Sequence, residues 1–146
     1  MRAVAVVGAG DVPDSEVAFE VGRLLADRGL VVVTGGLGGV MAAASRGAAS
    51  AGGVVVGLLP GLDRSAANPW VSVAIPTGLG ELRNGLVVRA ADVVVAVGGG
   101  HGTLSEIALA LKLGRPVVGL ATWDVHGIEQ AASPDDAIQR VARLLS

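Results

Sequence analysis

Short valine-rich runs recur along the chain, each closed by glycine or a polar turn and followed by a stretch with apolar residues three or four apart. The short runs predict buried strands and the longer stretches predict amphipathic helices. In order, strands are expected at 3–7, 30–33, 54–59, 71–75, 93–97 and 117–121. Helices are expected from Ser15 to Asp27, at 40–50, at 81–91, after the turn at 98–102 as far as Leu113, and from Ser133 to the end. Ser15 and Ser133 are placed as N-caps, Pro134 suits a first helical position, and Gly29 follows a helix end. The expected inward stripes are Val17, Val21, Leu24 and Leu25 in the first helix, and Leu82, Leu86 and Ala90 in the fourth strand's following helix. In the next helix they are Leu104, Ile107, Ala108 and Leu111.

Strands alternating with helices through short loops imply one parallel sheet covered on both faces. The expected fold is α/β, a single-domain Rossmann-like doubly wound sandwich spanning 1–146. Ligands in such folds sit beyond the carboxyl ends of the strands, where the strand order reverses. The glycine-rich turns fall on that edge because each follows a strand.

Composition narrows the chemistry. The chain is 51% hydrophobic but 2% aromatic, so its core must be aliphatic. A net charge of −2 gives no electrostatic reason to bind nucleic acid. There is no cysteine, and the two histidines, His101 and His126, are far apart, so no metal site is expected. No apolar run approaches the length needed to span a bilayer. The first residues read as a strand and carry no cleavage pattern. A cytoplasmic protein without membrane contact is the expectation.

Two glycine turns carry the candidate chemistry. The first holds Gly35, Gly36, Gly38 and Gly39; the second holds Gly98, Gly99, Gly100, His101, Gly102 and Thr103. A glycine turn running from a strand into a helix offers unpaired N–H groups and a positive dipole end to an anion, most often phosphate. The two turns are uses of one device, but only the second is followed by an acid: the position matching Glu106 in the first is Ala42. Glu106 reads either as a functional carboxylate or as an early-helix acid complementing the dipole. Thr103 reads as a phosphate ligand or a helix cap, and His101 as a ligand contact or a solvent-facing histidine. Arg83 reads as a phosphate clamp or a solvated arginine. Gly8 would line the site through its backbone. Its own loop lacks the third glycine of a dinucleotide fingerprint, where Pro13 stands, and no acid closes the second strand, so NAD is not the expected ligand. Trp70 and Trp123 could stack on a flat ring or pack in the core or at an interface.

The segment from Gly99 to Glu106 fits G-G-x-G-T-x-x-E. It resembles the signature of the Lonely Guy family, also labelled "possible lysine decarboxylase", and of the related molybdenum-cofactor carriers. The resemblance covers most of the chain. It implies a role for Arg83, at the place of that family's arginine, acting with Glu106 as the catalytic pair. Asn84 stands where Lonely Guy enzymes carry lysine, the preceding Met-His is absent, and Gly98 replaces their usual proline; these features resemble the carrier branch. Two readings follow. One is a nucleoside 5′-monophosphate phosphoribohydrolase that needs no cofactor, with phosphate on the glycine turns and Asn84 alongside. The alternative is a non-catalytic carrier that binds the molybdenum cofactor. The decarboxylase label finds no support: Lys112 is the single lysine, and no pyridoxal-phosphate pattern surrounds it. The apolar helices beginning near Leu86 and Leu104, with the resemblance, imply a homodimer or homotetramer.

Overall fold

The computed structural model describes residues 1–146. Seven strands form one parallel sheet: β1 (Ala3–Gly8), β2 (Val31–Thr34), β3 (Val55–Leu59), β4 (Val73–Pro76), β5 (Val93–Val97), β6 (Val117–Leu120) and β7 (Glu129–Gln130). Their spatial order is β4-β3-β2-β1-β5-β6-β7. The order therefore reverses between β1 and β5, which pair from Val4 against Val93 to Gly8 against Val97. Five helices cover the sheet: α1 (Glu16–Asp27), α2 (Val40–Ser50), α3 (Arg83–Arg89), α4 (His101–Lys112) and α5 (Pro134–Leu145).

The strand residues alternate between two cores, as the pleat requires. Val4, Val6, Val93 and Val95 pack with α1, α2 and α5. Ala5, Val7, Val94 and Ala96 pack with α3 and α4. The α1–α2 contact is made at backbone distance. A Cβ built at Gly22 would lie 2.0 Å from the Ala44 carbonyl oxygen, and one at Gly47 would lie 1.9 Å from the Phe19 carbonyl oxygen. These mid-helix glycines give up about 1 kcal/mol of propensity each relative to alanine, in return for a close crossing that brings the α2 N-terminus beside β1.

Several expectations need correction. The helix expected at 81–91 begins as a 3₁₀ turn, Gly80–Leu82, and becomes α-helical only at Arg83. Its Leu82–Leu86–Ala90 stripe points outward, with Leu82 78% exposed, while Val87 and Val88 are buried. On α4 the buried face is Thr103, Glu106, Ile107 and Ala110, and Ala108 is exposed. In α1, Val17 is exposed and Ala18 and Gly22 take the inward places. The larger apolar side chains of these helices do not all face the sheet. The close approach of α1 to α2 favours small inward residues, and α3 and α4 bury a polar group as well as aliphatics. The two-residue β7, Glu129–Gln130, carries no apolar pattern that marks it in the sequence.

Candidate functional site

The crevice at the strand-order reversal is a pocket of about 310 Å³, the low end of the usual range for small-molecule sites. Its floor is Val6 and Val7 at the end of β1, and its walls come from three segments. Gly8 ends β1 and Ala9, Gly10 and Asp11 follow it; Gly35 lies in the turn after β2 and Met41 in the first turn of α2; Gly100, Gly102, Thr103 and Glu106 lie at the start of α4. Glu81, Arg83 and Asn84 close the fourth side.

The turn after β5 is left-handed at two glycines, Gly98 (φ 54°) and Gly99 (φ 106°). At Gly99 a Cβ would also strike the Thr103 side chain at 2.2 Å, so glycine is required there on two grounds. The helix begins without a side-chain cap, with Gly100 as N-cap, so Thr103 does not serve as one. Five successive amides, from Gly99 to Thr103, donate to no acceptor in the chain. Free amides at a helix N-terminus favour an anion both by direct donation and through the dipole.

Glu106 lies in the second turn of α4, on its buried face, 8% exposed and without a hydrogen-bond partner. A dipole-complementing role belongs to the first turn, where α4 has no acid. Burial raises the Glu106 carboxyl to about 7, partly offset by the nearby positive charge of Arg83. The group therefore exists in both protonation states near neutral pH and can accept or donate a proton.

Arg83 is 9% exposed, which a solvated surface arginine would not be. Its Nε donates to the Leu58 carbonyl at 2.9 Å, one Nη lies 3.5 Å from the Gly35 carbonyl, and the other donates to the Asn84 side chain. Burial lowers its pKa and the Glu106 charge opposes that shift. A Cβ at Gly35 would sit 2.6 Å from the Arg83 guanidinium and 2.7 Å from the Met41 sulfur, so the arginine's seat depends on glycine at 35.

The crevice thus gathers Gly8, Gly35, Arg83, Asn84, Gly100, Gly102, Thr103 and Glu106. Other residues singled out from the sequence lie beside it. Gly36 packs on Leu59, and Gly38 and Gly39 fit against the backbone of Ala9 and Gly10. Gly98 and Gly99 shape the turn, and His101 is exposed and stacked on Trp123 at 5.9 Å between ring centroids. Trp70 faces Arg46, which also lies over Phe19, so neither tryptophan lines the crevice. Asp11, Met41 and Glu81 do line it. Their place after β1, at the start of α2 and just before Arg83 is the one sequence signal that marks them.

No grouping of histidine, cysteine and carboxylate side chains is arranged to hold a metal ion. No helix is long and apolar enough to cross a membrane.

This architecture is shared with solved structures. The molybdenum cofactor binding protein from Rippkaea orientalis is 36% identical, with a TM-score of 0.92 over 99% of this chain and 98% of that one. The molybdenum cofactor carrier protein from Chlamydomonas reinhardtii is 36% identical, with a TM-score of 0.90 over 99% of each chain. A probable cytokinin riboside 5′-monophosphate phosphoribohydrolase, LOGL5, of Oryza sativa subsp. japonica is 30% identical over 129 residues. That match takes in 83% of this chain and 52% of the rice protein, so the chain spans about half the length of that relative. The family model of the SLOG cluster4 family matches residues 1–144, and the chain belongs to that family.

Proposed function

We propose that this chain binds a phosphorylated pterin-type ligand, as a carrier of the molybdenum cofactor. The phosphate rests on the free amides of Gly99 to Thr103, and the rest of the ligand lies in the crevice toward Gly8, Gly35 and Asn84. The observation that carries this reading is the run of five unpaired amides opening beside a pocket of small-molecule size. The full-length likeness to two molybdenum-cofactor proteins supports the choice of ligand. In this reading Glu106 is a polar contact whose charge adjusts to the ligand, and Arg83 holds the ends of β2 and β3 in place while supplying positive potential. The cofactor in this reading is cargo and no part of the protein's own chemistry.

A second reading, phosphoribohydrolase activity on nucleoside 5′-monophosphates, is favoured by one feature. A buried carboxyl at about 7 beside an arginine could stabilise positive charge developing on a ribose and position water. The likeness to the rice protein points the same way.

Incubation with a panel of nucleoside monophosphates, alongside equilibrium dialysis against the molybdenum cofactor, separates the two. Retention of the cofactor with no release of free base supports the carrier. Base release that disappears in Glu106→Ala overturns it in favour of the hydrolase.

We also propose that the chain assembles as a homodimer or homotetramer through the outward apolar face of Leu79, Leu82 and Leu86. These leucines are exposed on consecutive turns of one segment, and such a face is normally covered.

A further inference from the structure

The segment that follows β6 touches the turn after β5 rather than the crevice. Ala121 is the one non-glycine residue with a positive φ, 50°, a conformation that an L side chain adopts only when its surroundings impose it. It directs the next two residues onto the glycine turn. The Thr122 hydroxyl donates to the Gly98 carbonyl at 2.5 Å, and the Trp123 indole N–H donates to the Gly100 carbonyl at 3.0 Å. The Trp123 ring stacks on His101 with 29° between planes, and its own carbonyl accepts from the Gln130 side chain at 3.2 Å. A Cβ at Gly119 would meet the Thr122 methyl at 2.7 Å, so the strand end is shaped to seat that residue.

In a trans peptide the C=O and N–H of one plane point in opposite directions. Fixing the Gly98 carbonyl on Thr122 turns the Gly99 N–H away from Thr122. Fixing the Gly100 carbonyl on Trp123, together with the Leu104 amide that also donates to it, turns the His101 N–H out beyond the helix end. Glycine alone would leave these planes free to rotate. The conformational order that the turn's own residues lack is therefore supplied from outside it, by the segment after β6.

We propose that Ala121, Thr122 and Trp123 form a brace that presets the amide cradle for its anion, making Thr122 and Trp123 positioning residues for phosphate recognition. This rests on reading the 99–103 amides as the phosphate site. Neither residue lines the crevice; each instead holds a carbonyl of the turn. A cradle ordered in advance binds without the entropy cost of ordering on arrival. The brace therefore sets affinity for the phosphate group itself, independently of the rest of the ligand.

The test uses inorganic phosphate as the probe, titrated into the protein while the amide resonances of Gly99 to Thr103 are followed by NMR. Wild type should show saturable shifts confined to these residues. Thr122→Val keeps the shape and removes the donor. It should bind phosphate about tenfold more weakly, the loss expected when a hydrogen bond that preorganises the site is removed. Thr122→Ser restores the hydroxyl and should stay within about twofold of wild type. Were Thr122→Val not to fold, Trp123→Phe, which keeps the stacked ring and removes the N–H, replaces it in the same comparison. Wild-type affinity in the donor-less variant overturns the brace, as does an equal loss in Thr122→Ser. An absence of shifts at 99–103 in wild type overturns the phosphate cradle itself.

Discussion

The Glu106 carboxyl and the Arg83 guanidinium face one crevice without forming an ion pair. The arginine donates to the Leu58 carbonyl, lies against the Gly35 carbonyl and pairs with the Asn84 side chain, and the glutamate donates to and accepts from no residue. A full ion pair would hold the acid well below its ordinary pKa; here burial dominates and raises it to about 7. The crevice therefore keeps one carboxyl ready to change its charge when a ligand arrives.

That arrangement makes stability depend on pH. Glu106 binds its proton more tightly folded than unfolded, so between about 4.5 and about 7 the folded state holds more protons. Stability should fall as pH rises through this window and level off above it. The full loss is on the order of 3 kcal/mol. Thermal melts from pH 5 to 8 should show this slope, and Glu106→Gln should flatten it, with a higher midpoint than wild type at pH 8.

Arg83→Met should cost about 2–3 kcal/mol, because the Leu58 and Gly35 carbonyls lose their donor in a buried place. Denaturant titration measures this directly. The same variant removes the one positive charge that opposes burial of Glu106, so the pH slope of its melts should move to higher pH than in wild type.

Gly47→Ala sets two effects against each other. Alanine gains about 1 kcal/mol of helix propensity. Its Cβ would sit 1.9 Å from the Phe19 carbonyl oxygen, where both sides are helix backbone that cannot move separately; overpacking costs about 1–3 kcal/mol or more. The clash should win, and a lowered thermal midpoint is the expected result. A raised midpoint would mean that α1 and α2 cross less closely.

Leu82→Asp with Leu86→Asp should convert an assembled protein to monomer by light scattering while leaving the circular dichroism spectrum unchanged. Both side chains point outward in the monomer, so their replacement opens no cavity. An unchanged molar mass would place any assembly on another face.

The sheet and its order of elements were legible in the sequence because valine runs such as Val93–Val97 are buried on both faces and need no phase. Helix faces were less legible. Leu82, Leu86 and Leu104 suggested inward stripes by size, but the sheet under α3 and α4 is met by Val87, Val88, Ile107 and Ala110 together with the polar Arg83, Thr103 and Glu106. Apolar spacing alone does not mark these polar residues as part of the inward face. At the crevice the glycine turn, Arg83 and Glu106 were legible as a motif. Asp11, Met41 and Glu81 belong to no motif; their one mark is a place after β1, at the start of α2 or just before Arg83, and the reversal of strand order between β1 and β5 brings them together.

A crystal structure grown with a phosphorylated pterin ligand is the most direct test of the amide cradle. The phosphate should lie within hydrogen-bond reach of the backbone N–H groups between Gly99 and Thr103, with the ligand extending past Glu106 toward Gly8. A ligand seated instead in the groove of Pro13, Arg46 and Trp70, with those amides still unpaired, would contradict it.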